Sequence, residues 1–474
     1  MGGDDLAFQD ATELAALVRT RQVSPVELVS VYLDRIVRLD GRLRAYVAVC
    51  GDAALDAARK AEAAVVAGGA LGPLHGVPFA VKDQFDAVGL PTTMGSRVLR
   101  DAPPASEDAT VVARLRAAGG LLLGKLNLTE FALGGTREFP FGQPRNPWNP
   151  DHDPGGSSSG SGIATAAALC GFTLGEDTGG SVRSPASWCG VVGLRPTWGR
   201  VSRHGVFPLA WSLDAAGPLS RSVRDAALLL SIIAGRDDRE PTTSRRPVPG
   251  YTGGLAAGAA GLRVGVVREL TAGAETQAEV RAAVEAAAAR LGALGATVEE
   301  VSLPLLPLAG AVFMALADSE GAGLHARWLR ERPGDYDAGT RRRLAAAGLL
   351  PAGLYHQAQR ARVLIRRQVL EALGRHDALL APMAHTAAPP IAAGQAPITG
   401  KADVGPRFFT RRSYASPASL AGTPALSVPC GFTASGLPIA LQVIGRPFDE
   451  GTILRVAHAY EQATEWRRRR PPVS

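Results

Sequence analysis

A helical segment followed by a short apolar run recurs along this chain, and this alternation limits the fold more than any other feature. It occurs in three regions, at 106–123, 161–174 and 262–301. In the last region, Leu262–Val267 and Thr297–Val301 are predicted strands on either side of an alanine-rich helix over 275–294. Alternation of this kind is typical of α/β proteins with a largely parallel or mixed sheet. We therefore expect an α/β fold.

The chain has 474 residues and is expected to form one large domain over residues 1–474. The segment Ser24-Pro25-Val26-Glu27 is a capping box with proline at the first helical position, which predicts a helix there. Composition then divides the chain into an N-terminal helical region over 1–65, a core with the glycine- and serine-rich segments over 66–235, a linker-like loop over 236–254, a helical insertion over 306–375, and a return to the core sheet over 376–474.

Charge and hydropathy exclude several classes of protein. No stretch reaches the ~20 uncharged apolar residues that a membrane span needs, and the N-terminal residues lack the basic and apolar regions of a secretory signal. The net charge of +7 comes mostly from arginines scattered along the chain. The arginine-rich tail over 467–470 is expected to fray into solvent. We expect a cytoplasmic protein that binds neither membranes nor nucleic acid.

The cysteines and histidines predict neither a disulfide framework nor a metal site. The four cysteines, Cys50, Cys170, Cys189 and Cys430, lie far apart among small or apolar neighbours, which favours reduced, buried thiols. The eight histidines never fall at metal-ligand spacing. No metal and no cofactor are therefore expected, and Cys189 is expected to be structural.

Lysine is scarce in this chain. Of 51 lysines and arginines, only four are lysines: Lys60, Lys82, Lys125 and Lys401. A lysine can lose its proton and act as a base, whereas an arginine effectively cannot. Lys82 follows the apolar run Val77–Val81, a predicted buried strand. It is therefore a candidate base, while Lys125 is expected to be structural.

Two segments, 154–162 and 175–184, are rich in glycine and serine. The first has the composition of a flexible linker, but it lies between an aromatic-rich loop and a small-residue helix predicted over 163–169. Small residues let backbone amides approach a ligand closely, and consecutive amides at a turn between a strand and a helix bind anions. Both segments are therefore candidate parts of a site.

Two short motifs suggest other functions. Gly119–Lys125 matches the first seven positions of a phosphate-binding loop, but Leu126 stands where serine or threonine is required. Gly156–Gly160 fits the nucleophile elbow of α/β-hydrolases with Ser158 as nucleophile, but a proline-rich loop precedes it where that fold has a strand. Neither motif has the context that its function needs.

Several ordered blocks together carry a family resemblance. They are 74–83, 124–131, 155–161, 177–183, 189–197, 199–202, 213–218, 422–432 and 436–442. These blocks resemble those of the amidase signature family. The resemblance implies a central mixed sheet covered by helices on both faces, with the helical insertion in the later half of the chain. It also implies a hydrolase that cleaves the C–N bond of an amide, through an acyl-enzyme and without a cofactor.

Matched block by block, the resemblance places the catalytic triad on Lys82, Ser157 and Ser181. Ser181 is the nucleophile, Ser157 lies in a cis peptide, and neutral Lys82 takes a proton from Ser157 while Ser157 takes one from Ser181. A serine hydroxyl needs such a base, and burial lowers the pKa of a lysine towards the range where it can serve. The backbone amides expected to hold the oxyanion are those of Thr178, Gly179, Gly180 and Ser181.

The pocket is assigned less directly. Phe131, Ala132 and Ser158 are predicted substrate-binding residues, within a wall formed by 131–134, the helical stretch 306–375 and residues near 416–420. Asp177 and Arg183 are expected to anchor the nucleophile loop. These wall segments are largely apolar and small, which favours an uncharged acyl or aryl substrate.

The family resemblance leaves the substrate and the partners open. The expected substrate is a small amide or carbamate, with aryl amides and esters included, hydrolysed by a free-standing enzyme; a homodimer is left open. One alternative is the glutaminase subunit of a tRNA-dependent amidotransferase. Two departures from the usual blocks of this subunit count weakly against it: Glu176, where serine or threonine is usual, and Gly162-Ile163, where two alanines are usual. The other is a catalytically silent binding protein on the same fold.

Overall fold

The computed structural model describes residues 2–391 and 404–473. Within them, one sheet contains eleven strands: β1 (Tyr46–Val49), β2 (Pro78–Lys82), β3 (Leu121–Leu126), β4 (Phe172–Glu176), β5 (Val192–Arg195), β6 (Ala216–Ser220), β7 (Arg263–Val267), β8 (Thr297–Val301), β9 (Ala378–Pro382), β10 (Ala425–Phe432) and β11 (Pro438–Gly445). The predicted apolar runs thus became strands, with ends that moved by a few residues.

The same described residues form fifteen α-helices: α1 (Gly3–Ala7), α2 (Ala11–Arg19), α3 (Pro25–Leu43), α4 (Gly51–Ala67), α5 (Thr110–Ala117), α6 (Ser159–Ala166), α7 (Arg183–Cys189), α8 (Val223–Ile233), α9 (Arg268–Thr271), α10 (Ala278–Ala293), α11 (Ala309–Glu331), α12 (Ala338–Ala347), α13 (Ala352–Arg375), α14 (Arg411–Ala421) and α15 (Glu450–Gln462). Helix α3 begins where the capping box predicts, because the Ser24 hydroxyl accepts from the Glu27 amide at 3.0 Å. Helices α11–α13 form the helical insertion.

The sheet is mixed, as predicted. Its strand order is β1-β3-β2-β4-β6-β5-β10-β11-β9-β7-β8. The pairs β2–β3, β2–β4, β7–β8 and β7–β9 are parallel and the remaining pairs are antiparallel.

Helices cover both faces of the sheet, as the alternating side chains of β9 show. Successive side chains of a strand point to opposite faces. Ala378 and Leu380 pack in one hydrophobic cluster, which includes residues of α3, α8, α10 and α15. Leu379 and Ala381 pack in another, which includes residues of α11, α13 and α14. The sheet therefore separates two cores, and the helical insertion belongs to the second.

One strand interrupts the N-terminal region that the sequence predicts to be helical. Strand β1 lies at the edge of the sheet, antiparallel to β3, with Tyr46 opposite Leu126. The Tyr46 hydroxyl donates to the Leu169 carbonyl at 3.0 Å. A four-residue run between two long helices carries too weak a periodicity to reveal a strand, so its assignment depends on the partner strand.

The loop over 236–254 forms neither an α-helix nor a strand, but its first residues are firmly attached. The Asp237 carboxylate accepts from the Ser202 hydroxyl at 2.6 Å, and the Asp237 amide donates to Thr243 Oγ1 at 3.0 Å. These contacts hold the loop against the core.

The prediction that the arginine-rich tail frays into solvent is wrong. Arg467 pairs with Asp10 at 3.1 Å, and Arg470 pairs with Asp5 at 2.8 Å. The guanidinium of Arg469 lies 4.5 Å from the centre of the Phe432 ring. Acidic residues at the start of the chain therefore hold its basic end.

Candidate active site

Two neighbouring parallel strands end at the same edge of the sheet and bring together the first components of the site. Lys82 is the last residue of β2 and Glu176 is the last residue of β4, and Val81 pairs with Leu174 in the register. Both side chains are fully buried. Polar groups buried at the ends of central strands need partners, and each of these two has the other within reach.

The loop between Asn146 and α6 brings Ser157 to Lys82. The Nζ atom of Lys82 lies 2.8 Å from Ser157 Oγ. The Gly156–Ser157 peptide is cis, as the family resemblance implies. The Ser157 carbonyl accepts from the Thr129 amide at 3.2 Å, and the Ser157 side chain is buried. Two of the three predicted triad residues are therefore in direct contact, although 75 residues of sequence separate them.

Ser181 lies in the turn between β4 and α7, next to the loop that carries Ser157. Its carbonyl accepts from the Ser158 amide at 3.2 Å. Unlike Lys82 and Ser157, Ser181 is only partly buried. The turn thus places a partly exposed serine against the loop that carries Ser157.

A buried ion pair fixes this turn, as expected for Asp177 and Arg183. The Arg183 guanidinium donates to both oxygens of Asp177, at 2.9 and 3.0 Å, and Arg195 lies 3.2 Å from the same carboxylate. Burial alone would raise the pKa of Asp177, but the two guanidinium groups hold it well below its usual range. The carboxylate therefore stays charged and keeps the turn in one conformation.

The same carboxylate changes the prediction for the oxyanion hole. The Gly180 amide donates to Asp177 Oδ1 at 2.7 Å, so it is already paired. In the part of the chain that the structure describes, the amides of Thr178, Gly179 and Ser181 donate to no protein acceptor. Three of the four predicted donors therefore remain for a developing negative charge.

Burial controls the protonation of Lys82. It lowers the pKa of the ammonium group, while the carboxylates of Glu176, Asp214 and Asp177 raise it, and the net direction is downward. The Nζ atom lies 3.5 Å from Glu176 Oε2 and 3.5 Å from the Glu176 carbonyl oxygen. A lysine with these neighbours can serve as a base, since its charged form is less favoured than in water.

A second buried carboxyl group completes this side of the site. The Thr178 hydroxyl lies 2.9 Å from Glu176 Oε1 and 2.8 Å from Asp214 Oδ1. Burial and the nearby Glu176 raise the pKa of Asp214 from 3.8 to about 8. The sequence did not predict this link, although Glu176 departs from the residue usual in the amidotransferase glutaminase subunit and Asp214 lies within a block that resembles the family.

The predicted substrate-binding residues are more enclosed than expected. Ser158 is fully buried and its hydroxyl donates to the Glu176 carbonyl at 3.3 Å, so the side chain supports the site rather than facing a substrate. Phe131 is 1% exposed and Ala132 is 4% exposed. The Phe131 ring packs edge-on against His325, with centroids 4.3 Å apart. Both residues lie in the wall, and their contact with substrate stays a prediction.

Other side chains lie against the nucleophile turn itself. A Cβ atom added to Gly179 would overlap the ring of Phe313 from α11. A Cβ atom added to Gly180 would lie 2.5 Å from Ala415 Cβ and 3.3 Å from Met383 Cε. Phe313 lies in the stretch 306–375 that the sequence predicts as part of the pocket wall. Ala415 lies just before the predicted segment near 416–420, and Met383 was not predicted.

Lys125 and Cys189 have structural surroundings. Lys125 pairs with Asp83 at 2.9 Å, and both side chains are buried. The Cys189 thiol donates to the Pro154 carbonyl at 3.3 Å, and burial raises its pKa well above the usual range. A thiol that holds its proton this strongly is a poor nucleophile. Among residues 2–391 and 404–473, no three histidine, cysteine, aspartate or glutamate side chains are grouped to hold a metal ion.

This geometry agrees with the comparison to known families. The profile of the Amidase family matches residues 27–454. The chain belongs to this family. The match includes Lys82, Ser157 and Ser181 and extends over the helical insertion.

The family includes relatives that are similar over their whole length. A glutamyl-tRNA(Gln) amidotransferase subunit from Moorella thermoacetica is 42% identical, over 98% of this chain and 99% of its own. A solved chain from a vestigial protein complex, connected with the evolutionary origins of an s-triazine catabolic enzyme, is 35% identical with a TM-score of 0.89, covering 96% of this chain and 98% of its own. Peptide amidase from Stenotrophomonas maltophilia is 34% identical with a TM-score of 0.84, covering 98% of both chains.

These relatives establish the amidase-signature fold and a hydrolase of the C–N bond type for the family. They also favour the alternative that the sequence ranked second, since the relative with 42% identity belongs to an amidotransferase. None of the helices in the described part of the chain has both the length and the apolar character that crossing a bilayer requires.

Proposed function

We propose that this chain hydrolyses the C–N bond of a carboxamide through an acyl-enzyme on Ser181. The observation that carries the proposal is the 2.8 Å contact between Lys82 Nζ and Ser157 Oγ, next to a partly exposed Ser181. A serine nucleophile needs a base, and a buried lysine relayed by a second serine supplies one without histidine.

The proposed reaction moves one proton along the relay at each stage. Neutral Lys82 accepts the Ser157 proton, Ser157 accepts the Ser181 proton, and Ser181 Oγ bonds to the carbonyl carbon. The amides of Thr178, Gly179 and Ser181 stabilise the oxyanion, and each such donor contributes roughly 10²–10³ in rate in other hydrolases. Ser157 then gives its proton to the leaving nitrogen as the C–N bond breaks, and Lys82 returns a proton to Ser157. Water repeats the sequence and releases the acid.

The first candidate substrate is the side-chain carboxamide of glutamine, hydrolysed by this chain as the glutaminase component of an amidotransferase. The support is the 42% identity to an amidotransferase component over nearly the full length of both chains. On this proposal the chain works with partner proteins, and the released ammonia is passed on. This replaces the sequence-based preference for a free-standing enzyme as the first candidate.

The second candidate is a free-standing hydrolase of another small amide or a carbamate. Two departures favour it: Glu176 beside the catalytic lysine, and Gly162-Ile163 in place of two alanines. The 34% identity to a peptide amidase over 98% of both chains is compatible with it. The apolar wall formed by Phe313, Met383 and Ala415 also suits an uncharged acyl or aryl group.

A serine-directed fluorophosphonate probe tests the hydrolytic proposal before any substrate is known. Wild-type protein is expected to be labelled on Ser181, as located by peptide mass spectrometry, and Ser181→Ala is expected to remain unlabelled. Folded wild-type protein without a label would instead favour the catalytically silent binding protein. Label on Ser158 would return the nucleophile elbow to consideration.

Two measurements then separate the substrate candidates. Ammonia release from glutamine is compared with hydrolysis of an aryl amide, an aliphatic amide, an ester and a carbamate by the same preparation. The native mass is measured for the purified chain and for the complex recovered from its host. Glutamine turnover together with a larger complex supports the amidotransferase component, whereas turnover of another amide by the isolated chain supports the free-standing enzyme.

A further inference from the structure

A buried carboxylate, that of Glu176, lies beside the lysine of the proposed relay. Two oxygens of Glu176 face Lys82 Nζ, the side-chain Oε2 at 3.5 Å and the backbone carbonyl at 3.5 Å. A neutral amine has two N–H bonds and one lone pair. When both N–H bonds point to Glu176, the lone pair remains for the hydroxyl of Ser157, which lies 2.8 Å away.

The Thr178 hydroxyl then fixes how many protons the two carboxyl groups share. It lies within hydrogen-bond distance of Glu176 Oε1 and of Asp214 Oδ1, and it has only one proton to donate. It can donate to one carboxylate, so the other carboxyl must donate to it. All three side chains are buried, where a carboxylate oxygen left without a donor costs free energy. The Glu176–Asp214 pair therefore carries one proton and one negative charge.

The surroundings assign the proton to Asp214. The Leu209 amide donates to its Oδ2 at 2.9 Å, and the Ala210 amide is shared between Oδ2 at 3.0 Å and Oδ1 at 3.1 Å. Oδ2 therefore accepts the shorter bonds, and Oδ1 is the oxygen that can carry a proton towards Thr178. Glu176 faces the lysine, which favours the charged carboxylate at that end. The raised pKa of Asp214 agrees with this assignment.

The other charged groups around Lys82 compensate one another. Asp177, which follows β4, acts on Lys82 as a nearby negative charge. Its carboxylate is paired with Arg183 of α7 and Arg195 of β5. Arg195 is also attracted by the charge of Glu176. On the strand side, the neighbouring Asp83 is paired with Lys125 of β3 at 2.9 Å. Glu176 is therefore the negative charge whose nearest cation is Lys82 itself.

We propose that Glu176 is a positioning residue of the relay, which orients the Lys82 amine towards Ser157 and, by its charge, sets the pH above which the enzyme is active. Asp214, held uncharged through Thr178, keeps that charge at one. This inference rests on the proposed hydrolytic function, and it concerns a residue at which the chain departs from the serine or threonine usual in the amidotransferase glutaminase subunit.

Glu176→Gln is the direct test, since it keeps the shape and removes the charge. Loss of a neighbouring negative charge destabilises the ammonium form of Lys82, so the amine forms at lower pH. An opposite charge within ~4–6 Å shifts a pKa by about 1–3 units, and the acid limb of the pH profile is expected to move down by a similar amount. The profile is measured as the rate of Ser181 labelling by the fluorophosphonate probe, with folding checked by circular dichroism at each pH.

Two further variants complete the design. Glu461→Gln is the matched control, because Glu461 is a buried carboxyl that accepts the Val223 amide at 2.9 Å in another part of the molecule. Its acid limb is expected to coincide with that of wild type. Glu176→Ser introduces a residue that is usual in the amidotransferase glutaminase subunit, and its acid limb is expected to move down in the same direction as that of Glu176→Gln.

The outcomes are separable. A folded Glu176→Gln or Glu176→Ser protein whose acid limb stays at the wild-type pH overturns the inference, and so does a complete loss of labelling in both folded variants. If Glu176→Gln does not fold, Glu176→Ser decides alone; if neither folds, Glu176 is a structural residue and the inference is overturned. Absence of label in wild type itself removes the hydrolytic function, and this inference falls with it.

Discussion

Lys82 Nζ and Ser157 Oγ lie 2.8 Å apart, and both side chains are buried. This contact joins the end of a central strand to a loop that follows it by more than seventy residues. Because both side chains are buried, the pair can move a proton without competition from solvent.

Removal of the Lys82 amine should stop turnover while the fold persists. Lys82→Ala is expected to reduce hydrolysis or Ser181 labelling by roughly 10²–10⁴, the usual contribution of a positioned base. Lys82→Arg should be as inactive at every pH, since a guanidinium cannot be deprotonated in proteins. The exposed Lys60 offers a matched control, and Lys60→Ala should retain the wild-type rate. Activity in Lys82→Arg would contradict the role of Lys82 as base.

The Asp177–Arg183 pair should contribute to stability as well as to the shape of the turn. Asp177→Asn leaves two buried guanidinium groups without their counter-charge, which is expected to lower the free energy of unfolding by about 3–5 kcal/mol. The pKa of Asp177 is lowered in the fold, so its contribution is present at neutral pH and is lost as the pH falls. Urea titrations at neutral and acidic pH measure both effects.

A control for this variant is available on the surface. Asp238 is 92% exposed and pairs with Arg236 at 2.9 Å. Asp238→Asn should leave the urea midpoint nearly unchanged, because exposed ion pairs contribute little. Equal destabilisation by the two substitutions would show that the burial of Asp177 does not matter.

Asp214 predicts that the stability of the fold decreases as the pH rises from the acidic range to about 8. Its pKa is raised from 3.8 to about 8 in the fold, so the folded protein holds a proton that the unfolded chain releases. The stability associated with this proton is present below pH 3.8 and is lost as the pH rises towards about 8. Asp214→Asn removes the titrating group, so its unfolding free energy should change less over this range. Parallel pH dependence in both proteins would contradict the assignment of the proton.

Gly179 should tolerate no side chain. In Gly179→Ala the new methyl group would overlap the Phe313 ring, so we expect a shifted turn and reduced labelling of Ser181. Phe313→Ala in the same chain makes room and should restore part of the rate. Gly323→Ala is a control on the same helix as Phe313, at a position with nothing within 4 Å, and should leave the rate unchanged. Failure of the double variant to recover would locate the defect elsewhere.

The fold could largely be predicted from the sequence because its strong signals are local. The apolar runs that became β2, β7 and β8 lie between turn residues, and such short segments predict buried strands by composition alone. Strand β1 was missed because Tyr46–Val49 gains its hydrogen bonds from β3 and not from any local preference. The attachment of the arginine-rich tail was missed for the same reason, since Asp5 and Asp10 lie at the opposite end of the chain.

The candidate site divides in the same way. Residue types and their order by themselves predict Lys82, Ser157 and Ser181 as the triad, because their motifs are short and specific and the family resemblance assigns each a place. Only the tertiary structure decided what surrounds them: the Gly180 amide is paired with Asp177, and Glu176 faces Lys82. Such contacts depend on distances between strand ends and loops, which a linear pattern does not contain. Protonation is likewise a property of burial and neighbouring charge, so it exists only once the chain has folded.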